Sequence, residues 1–195
     1  MARLVRQTAL SYALTALSVA LLVYISASGN AALTTDALIA EFLTISGLVL
    51  SQAGGLMKTE SESGERAAVN AAPWVVLDLL VIFSLNYFIP RVPLSLVSAV
   101  AGNVNVGVAF RLLEAVAEEQ FFRGFFLNFF LSRVDPYTAI VADGVLFGAY
   151  HLFVYGYSPS LILLVIMAGI VLAYSDWRLG TLDASLIAHV VNNLL

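Results

Sequence analysis

The stretch LLEAVAEEQFFRGFFLNFFL, residues 112–131, is an apolar run of twenty residues that contains four charged side chains. An α-helix needs about twenty mostly apolar residues to cross the hydrocarbon core of a bilayer. A charged side chain at that depth costs about 2.5–3.5 kcal/mol on insertion scales, so charges there usually have a function. The run therefore predicts a membrane helix with functional polar residues, which are Glu114, Glu118, Glu119 and Arg123.

The composition of the whole chain also indicates a membrane protein. Of its 195 residues, 61% are hydrophobic and 11% are charged, and the mean hydropathy is +0.93. Soluble domains carry about 45–50% apolar and about 25% charged residues. The net charge of −4 argues against a nucleic-acid partner, and the lack of cysteine excludes disulfides and a cysteine nucleophile. We expect an all-α transmembrane bundle of about seven or eight spans that forms one integral membrane domain, residues 1–195.

Seven further apolar runs predict the other spans, and the run at 94–110 is the weakest of them. Its two glycines and two asparagines leave open a broken or re-entrant helix. The polar segment KTESESGER, residues 58–66, predicts an aqueous loop, and Pro90 and Pro93 predict a tight turn at Arg91. The seven runs are residues 8–27, 37–57, 69–89, 94–110, 137–157, 160–175 and 179–195.

The distribution of basic residues favours a cytoplasmic N-terminus. With eight spans, five lysines and arginines fall on the side of the N-terminus and three on the other, and basic residues concentrate on the cytoplasmic side. The five are Arg3, Arg6, Lys58, Arg66 and Arg111, and the three are Arg91, Arg133 and Arg178.

Spacing along the helix at 112–131 separates the two adjacent glutamates. Glu119 and Arg123 are four residues apart, on one face and in the favourable order for a helical ion pair. Glu118 points about 140° away from Arg123, at 100° per residue, and shares a stripe with Glu114. Glu118 is then the candidate general base. The structural alternative is that Glu118 and Glu119 both serve only to hold the helices together electrostatically.

Two more pairs at a spacing of four residues lie in later predicted helices. Phe147 and His151 share a face, one turn after the small-residue pair Gly144 and Gly148, which lets another helix approach closely. The sequence alone also allows each polar residue to serve only in helix packing.

The last predicted helix carries His189 and Asn193, whose imidazole and carboxamide point the same way. Two such donors aimed at one place suit an oxyanion hole. Together, Glu118 and His151 can position and deprotonate a water molecule, while His189 and Asn193 hold the oxygen of a tetrahedral intermediate. This combination predicts hydrolysis of an amide bond.

In this order, and on three separate predicted helices, these motifs resemble those of the CPBP family of CAAX proteases and bacteriocin-processing proteins, also called Abi, which includes the type II CAAX prenyl endopeptidases. The resemblance lies within residues 114–193, and the spans within residues 8–110 match only in being hydrophobic. The motifs are Glu-Glu-x-x-x-Arg (Glu118, Glu119, Arg123), Phe-x-x-x-His (Phe147, His151) and His-x-x-x-Asn (His189, Asn193).

The resemblance implies an intramembrane endopeptidase of the glutamate type without a cofactor. By it, Glu118 activates water with His151, and His189 and Asn193 form the oxyanion hole. The supporting residues would be Glu119, Arg123 and Phe147. The implied partners are membrane lipid and a peptide substrate, either a prenylated CAAX-like C-terminus or another membrane peptide such as a bacteriocin. The implied location is a prokaryotic cell membrane.

Two alternatives use the same polar residues differently. Two histidines and one glutamate can bind zinc, as in a metalloprotease, although the chain has no His-Glu-x-x-His motif and Asn193 is a poor zinc ligand. A proton-coupled transporter or a non-catalytic immunity protein would explain the acids outside the motifs, although no inverted repeat is visible. Those acids are Glu41, Asp78, Asp143 and Asp183.

Overall fold

The computed structural model describes residues 4–53, 64–88, 94–152 and 158–195. These residues are helical and contain no strand, apart from one isolated bridge between Arg6 and Thr181. The predicted all-α class is therefore confirmed. The elements are α1 (Ala9–Ala27), α2 (Ala31–Ala53), α3 (Gly64–Asn86), α4 (Leu94–Ala101), α5 (Val104–Glu119), a π-helix (Gln120–Leu127), α6 (Asn128–Leu131), α7 (Pro136–Tyr150), α8 (Pro159–Leu179) and α9 (Asp183–Leu194).

Local chemistry explains where several helices begin and end. Thr8 and Ser11 form a capping box at the start of α1. Asp135 accepts hydrogen bonds from two backbone N–H groups of α7, and Pro136 occupies the first turn, where a missing N–H costs least. Gly180 ends α8 in the left-handed conformation, with φ of 79°.

The run at 94–110 is a broken helix, the alternative that its glycines and asparagines leave open, and it is not one continuous span. Gly102 takes a φ of 69° after α4, and the Asn103 side chain then caps α5. An eight-residue helix is only about 12 Å long, which is too short to cross a bilayer. The predicted helix at 112–131 consequently begins earlier, at Val104, and runs through the π-helix to Leu131 without a break.

Other boundaries differ by a few residues. α2 begins at Ala31 rather than at 37, α9 begins at Asp183 rather than at 179, and the end of the predicted loop at 58–66 is already helical from Gly64. The rest of that loop and the turn at Pro90, Arg91 and Pro93 lie outside the described residues. Within the described residues, α1, α2 and α8 are long and apolar enough to cross a membrane.

The π-helix is the feature of the bundle that the sequence did not predict. Its wider turn leaves a backbone carbonyl free to accept hydrogen bonds from side chains. The Ser51 hydroxyl and the Asn128 carboxamide both donate to the carbonyl of Gly124. Gly47 of α2 packs so closely that an added Cβ would lie 2.5 Å from the carbonyl oxygen of Gln120. π-Helical turns often occur at functional sites, and this one starts directly after Glu119.

Glycines bring α7 and α8 into close contact, as the spacing of Gly144 and Gly148 predicts. A Cβ at Gly144 would lie 2.8 Å from the backbone nitrogen of Ile170 and 3.0 Å from the carbonyl oxygen of Ile166. Gly169 faces them from α8, where its own Cβ would meet the Gly144 backbone and the Phe147 side chain. This contact fixes the helix that carries Phe147 and His151 against its neighbour.

Substitution of Gly144 by alanine tests this contact. We expect Gly144→Ala to lower the free energy of unfolding by about 1–3 kcal/mol, because the backbone of α8 cannot give way. On an uncrowded helix the same change would be stabilising by about 1 kcal/mol through helix propensity. The measurement is thermal unfolding in detergent, with Ala149→Val on the exposed side of α7 as the matched control. A Gly144→Ala protein that is more stable than wild type would contradict the packing.

Candidate functional site

Three side chains from three helices converge at the end of α5. The carboxylate oxygen Oε2 of Glu118 lies 3.7 Å from Nε2 of His151, at the end of α7, and 3.7 Å from Nε2 of His189 on α9. All three side chains are mostly buried, with 10–13% of their surface exposed. The structure thus brings together one residue from each of the three sequence motifs.

Hydrogen bonds fix the orientation of both imidazoles. His151 donates from Nδ1 to the carbonyl of Phe147 over 2.9 Å, and His189 donates from Nδ1 to Oε1 of Glu119 over 2.6 Å. A carbonyl and a carboxylate only accept, so each Nδ1 carries a proton. The neutral form of each ring then has its lone pair on Nε2, the atom nearest Glu118. Three acceptor atoms therefore face one another.

Glu119 lies behind this group in a fully buried network of charges. Nη1 of Arg123 is 3.2 Å from Oε1 of Glu119, which confirms the predicted ion pair, and both side chains are 0% exposed. Nε of Arg123 is 3.4 Å from Oδ2 of Asp143 on α7, and Nη2 donates to the carbonyl of Gly169 on α8. Glu119 also accepts from His189, a second role that the helical spacing did not indicate.

Phe147 packs between the cation and the imidazoles. Its ring centroid is 4.2 Å from Cζ of Arg123, a cation–π distance, and 4.5 Å from the ring of His151. The ring of His189 lies 6.2 Å away in an edge arrangement. Phe147 therefore contacts all three groups, and this contact agrees with the supporting position predicted for it.

Asn193 lies one turn beyond His189 on α9, next to different partners. Its amide nitrogen donates to the carbonyl of Arg111 over 3.4 Å, and its oxygen accepts from Asn192 over 3.4 Å. Asn192 in turn accepts a shorter bond, 2.6 Å, from Asn86 of α3. Both hydrogen bonds of Asn193 are long. They join it to Arg111 and Asn192, and so they do not bring its carboxamide together with His189 at one place, as the spacing predicts.

Sequence spacing missed three buried polar residues next to the site. Asp143 lies outside the three motifs, yet it pairs with Arg123. No motif includes Asp176 or Ser185, and Asp176 accepts two hydrogen bonds from Ser185, which lies one turn before His189. The available signal was an aspartate near the end of an apolar helix, where ionisable residues are rare.

Within residues 4–53, 64–88, 94–152 and 158–195, no group of three or more His, Cys, Asp or Glu side chains is arranged to hold a metal ion. Glu118, His151 and His189 come closest chemically, because a carboxylate and two imidazoles are zinc-binding groups. The two 3.7 Å separations between Oε2 of Glu118 and the imidazole Nε2 atoms are somewhat longer than ligands around one tetrahedral zinc ion would show.

Comparison with known proteins gives one family. Residues 100–195 match a family model described as type II CAAX prenyl endopeptidase Rce1-like, and this segment contains all three motifs. Comparisons with curated proteins and with solved structures give no match. Together with the long apolar helices, the match indicates an integral membrane protein. Residues 100–195 of this chain are therefore similar to the Rce1-like family of type II CAAX prenyl endopeptidases, which are peptide hydrolases.

Proposed function

We propose that this protein is an intramembrane endopeptidase in which Glu118 is the general base. The observation that supports this most directly is the convergence of His151 and His189 on Oε2 of Glu118. Separations of 3.7 Å are too long for direct hydrogen bonds and suit groups that share one water molecule. A water molecule at this place donates one proton to Glu118 and the other to Nε2 of His151, and its oxygen lone pair is then available for attack.

In this mechanism the water oxygen attacks the carbonyl carbon of the scissile bond while Glu118 takes one of its protons. The carbonyl oxygen becomes an oxyanion in the tetrahedral intermediate. Collapse of that intermediate breaks the C–N bond, and the protonated Glu118 returns its proton to the leaving amine. His151 holds the water through Nε2, because its Nδ1 is occupied by the Phe147 carbonyl.

His189 is suited to stabilise the oxyanion as an imidazolium. Its Nδ1–H group already donates a hydrogen bond to the carboxylate of Glu119, and that negative charge favours a positive charge on the ring. The protonated Nε2 then donates to the oxyanion. Asn193 supplies the second donor when the oxyanion of the substrate replaces the Arg111 carbonyl, now 3.4 Å away, as the acceptor of its amide N–H group. Arg123, with Phe147 against it, holds Glu119 in place.

The family suggests a peptide with a prenylated CAAX-like C-terminus as the substrate, and a bacteriocin or another membrane peptide is the broader class. We infer one integral membrane domain over residues 1–195, in a prokaryotic cell membrane with the N-terminus in the cytoplasm. Large apolar side chains are exposed along the outer helices, among them Val23, Phe42 and Leu80, and these suit contact with lipid. The proposed reaction requires no cofactor.

Zinc-dependent hydrolysis at the same place is the second candidate. The observation that favours it is the meeting of two imidazole Nε2 atoms and one carboxylate oxygen, three acceptors that a cation would satisfy. The long separations between these atoms favour the water-activating mechanism.

Glu118→Gln tests the general base. We expect it to reduce kcat by about 10²–10⁴-fold while the protein stays folded, because an amide cannot accept the proton of water. Glu114→Gln, one turn earlier on the same helix and paired with Arg111, is the matched control and should keep most of the activity. The measurement is cleavage in detergent of a farnesylated CAAX peptide beside unmodified peptides. Full activity of Glu118→Gln would exclude this role.

Asn193→Ala tests the second oxyanion donor. We expect kcat to fall by about 10²–10³-fold with KM nearly unchanged, because the donor acts on charge that develops in the transition state. Asn192→Ala, the adjacent carboxamide on α9, should lower kcat much less. Equal losses in the two variants would indicate a packing role for both, and the idea of an oxyanion donor would have to be abandoned.

A chelator separates the two hydrolytic mechanisms. We expect wild-type cleavage to be unchanged after exhaustive treatment with EDTA or 1,10-phenanthroline, because the proposed base is a carboxylate. The metal content of the purified protein, measured by mass spectrometry, is compared before and after treatment. Stoichiometric zinc that is lost together with activity, and restored with it, would favour the second candidate.

A further inference from the structure

Asp176 is a fully buried acid of α8 that holds the start of α9. Its Oδ1 accepts the backbone N–H of Ser185 over 3.0 Å, and its Oδ2 lies 2.5 Å from the Ser185 hydroxyl oxygen. Both residues are 0% exposed. Ser185 precedes His189 by four residues, so these two side chains share one face of α9.

The contact supplies a helix cap that α9 does not have locally. The first backbone N–H groups of a helix lack partners within the helix, and a side chain usually accepts from them. Leu182, at the N-cap position of α9, has an apolar side chain and provides no such bond. Asp176 therefore caps α9 from another helix and fixes the end from which His189 is positioned.

Glu119 has one carboxylate oxygen to spare on this face of α9. Its Oε1 accepts from His189, one turn after Ser185, and its Oε2 is buried and forms no hydrogen bond to the residues that the structure describes. A hydroxyl has one proton to donate and cannot donate to two carboxylates. Both acids are satisfied when the carboxylic acid of Asp176 donates to Ser185 and Ser185 donates to Glu119.

The surrounding charges favour this pattern. Asp78 of α3 accepts a hydrogen bond from Ser175, the residue before Asp176, and is a further buried acid in this region. Arg123 is already in contact with Glu119 and Asp143. A second bare carboxylate next to Glu119 would be costly in this buried place unless it were neutralised or paired.

We propose that Asp176 and Ser185 are positioning residues: Asp176, as a carboxylic acid, donates to Ser185, which donates to Glu119 and so holds Glu119 as the acceptor of the Nδ1 proton of His189. The ring of His189 is then fixed with Nε2 towards Glu118. The effect on catalysis rests on the function proposed above, whereas the state of His189 can be measured without any substrate.

The substitutions distinguish hydrogen bonding from packing. Asp176→Ala and Ser185→Ala should each lower kcat by about ten- to a hundredfold with little change in KM, because a misplaced catalytic group loses its alignment. Asp176→Asn should recover most of the loss, since its amide donates to Ser185 and its oxygen accepts from the backbone N–H. The double variant Asp176→Ala/Ser185→Ala should be no worse than the worse single variant. Thr44→Val, which removes a buried hydroxyl that donates to the Ala40 carbonyl within α2, is the matched control.

NMR of protein labelled with ¹⁵N-histidine gives the second readout, and the chain has only two histidines. His151→Gln assigns the remaining signal to His189. We expect a ring protonated at Nδ1 in wild type and Asp176→Asn, and a mixture of tautomers in Asp176→Ala and Ser185→Ala. An Asp176→Asn protein that behaves like Asp176→Ala, or an unchanged His189 signal in Ser185→Ala, would overturn the proposal. If wild type cleaves no peptide but these signals behave as expected, the proposed function fails and the positioning network stands.

Discussion

The buried guanidinium of Arg123 is the constraint on which the rest of the site depends. A cation that is 0% exposed is tolerable only when carboxylates and acceptors surround it. Arg123 forms ion pairs with Glu119 of its own helical segment and with Asp143 of α7, and it donates a hydrogen bond to the carbonyl of Gly169 on α8. Glu119 then accepts from His189 on α9. One charge thereby orients the helices that carry all three motifs.

This arrangement explains why two glutamates stand side by side. Glu119 is occupied by Arg123 and His189, so it acts as a fixed part of the framework. Glu118 instead has the two imidazoles at distances that leave its Oε2 without a direct hydrogen bond in the part of the chain that the structure describes. The adjacent π-helix is held by side chains from α1 and α2: Thr15 accepts from Gln120, and Ser51 donates to the carbonyl of Gly124.

The sequence predicts whatever depends on spacing along one helix. The ion pair of Glu119 and Arg123 follows from the i,i+4 rule, and the close approach of α7 and α8 follows from small residues four apart. Contacts between helices have no such spacing, so the partners of Asp143 and Asp176 could not be predicted. A π-helix departs from the constant turn of 100° per residue on which spacing arguments depend, so the spacing does not predict it. The catalytic roles themselves stay predictions.

The two imidazoles are oriented in the same way but differ in what holds them. Each donates its Nδ1 proton and turns Nε2 towards Glu118, yet His151 donates to a neutral carbonyl and His189 donates to a carboxylate. A carboxylate stabilises an imidazolium far more than a carbonyl does, since the charges then attract each other directly. His189 is therefore the ring suited to carry positive charge next to an oxyanion, and His151 is the ring suited to accept a hydrogen bond from water. Two chemically identical side chains acquire different roles from the acceptors behind them.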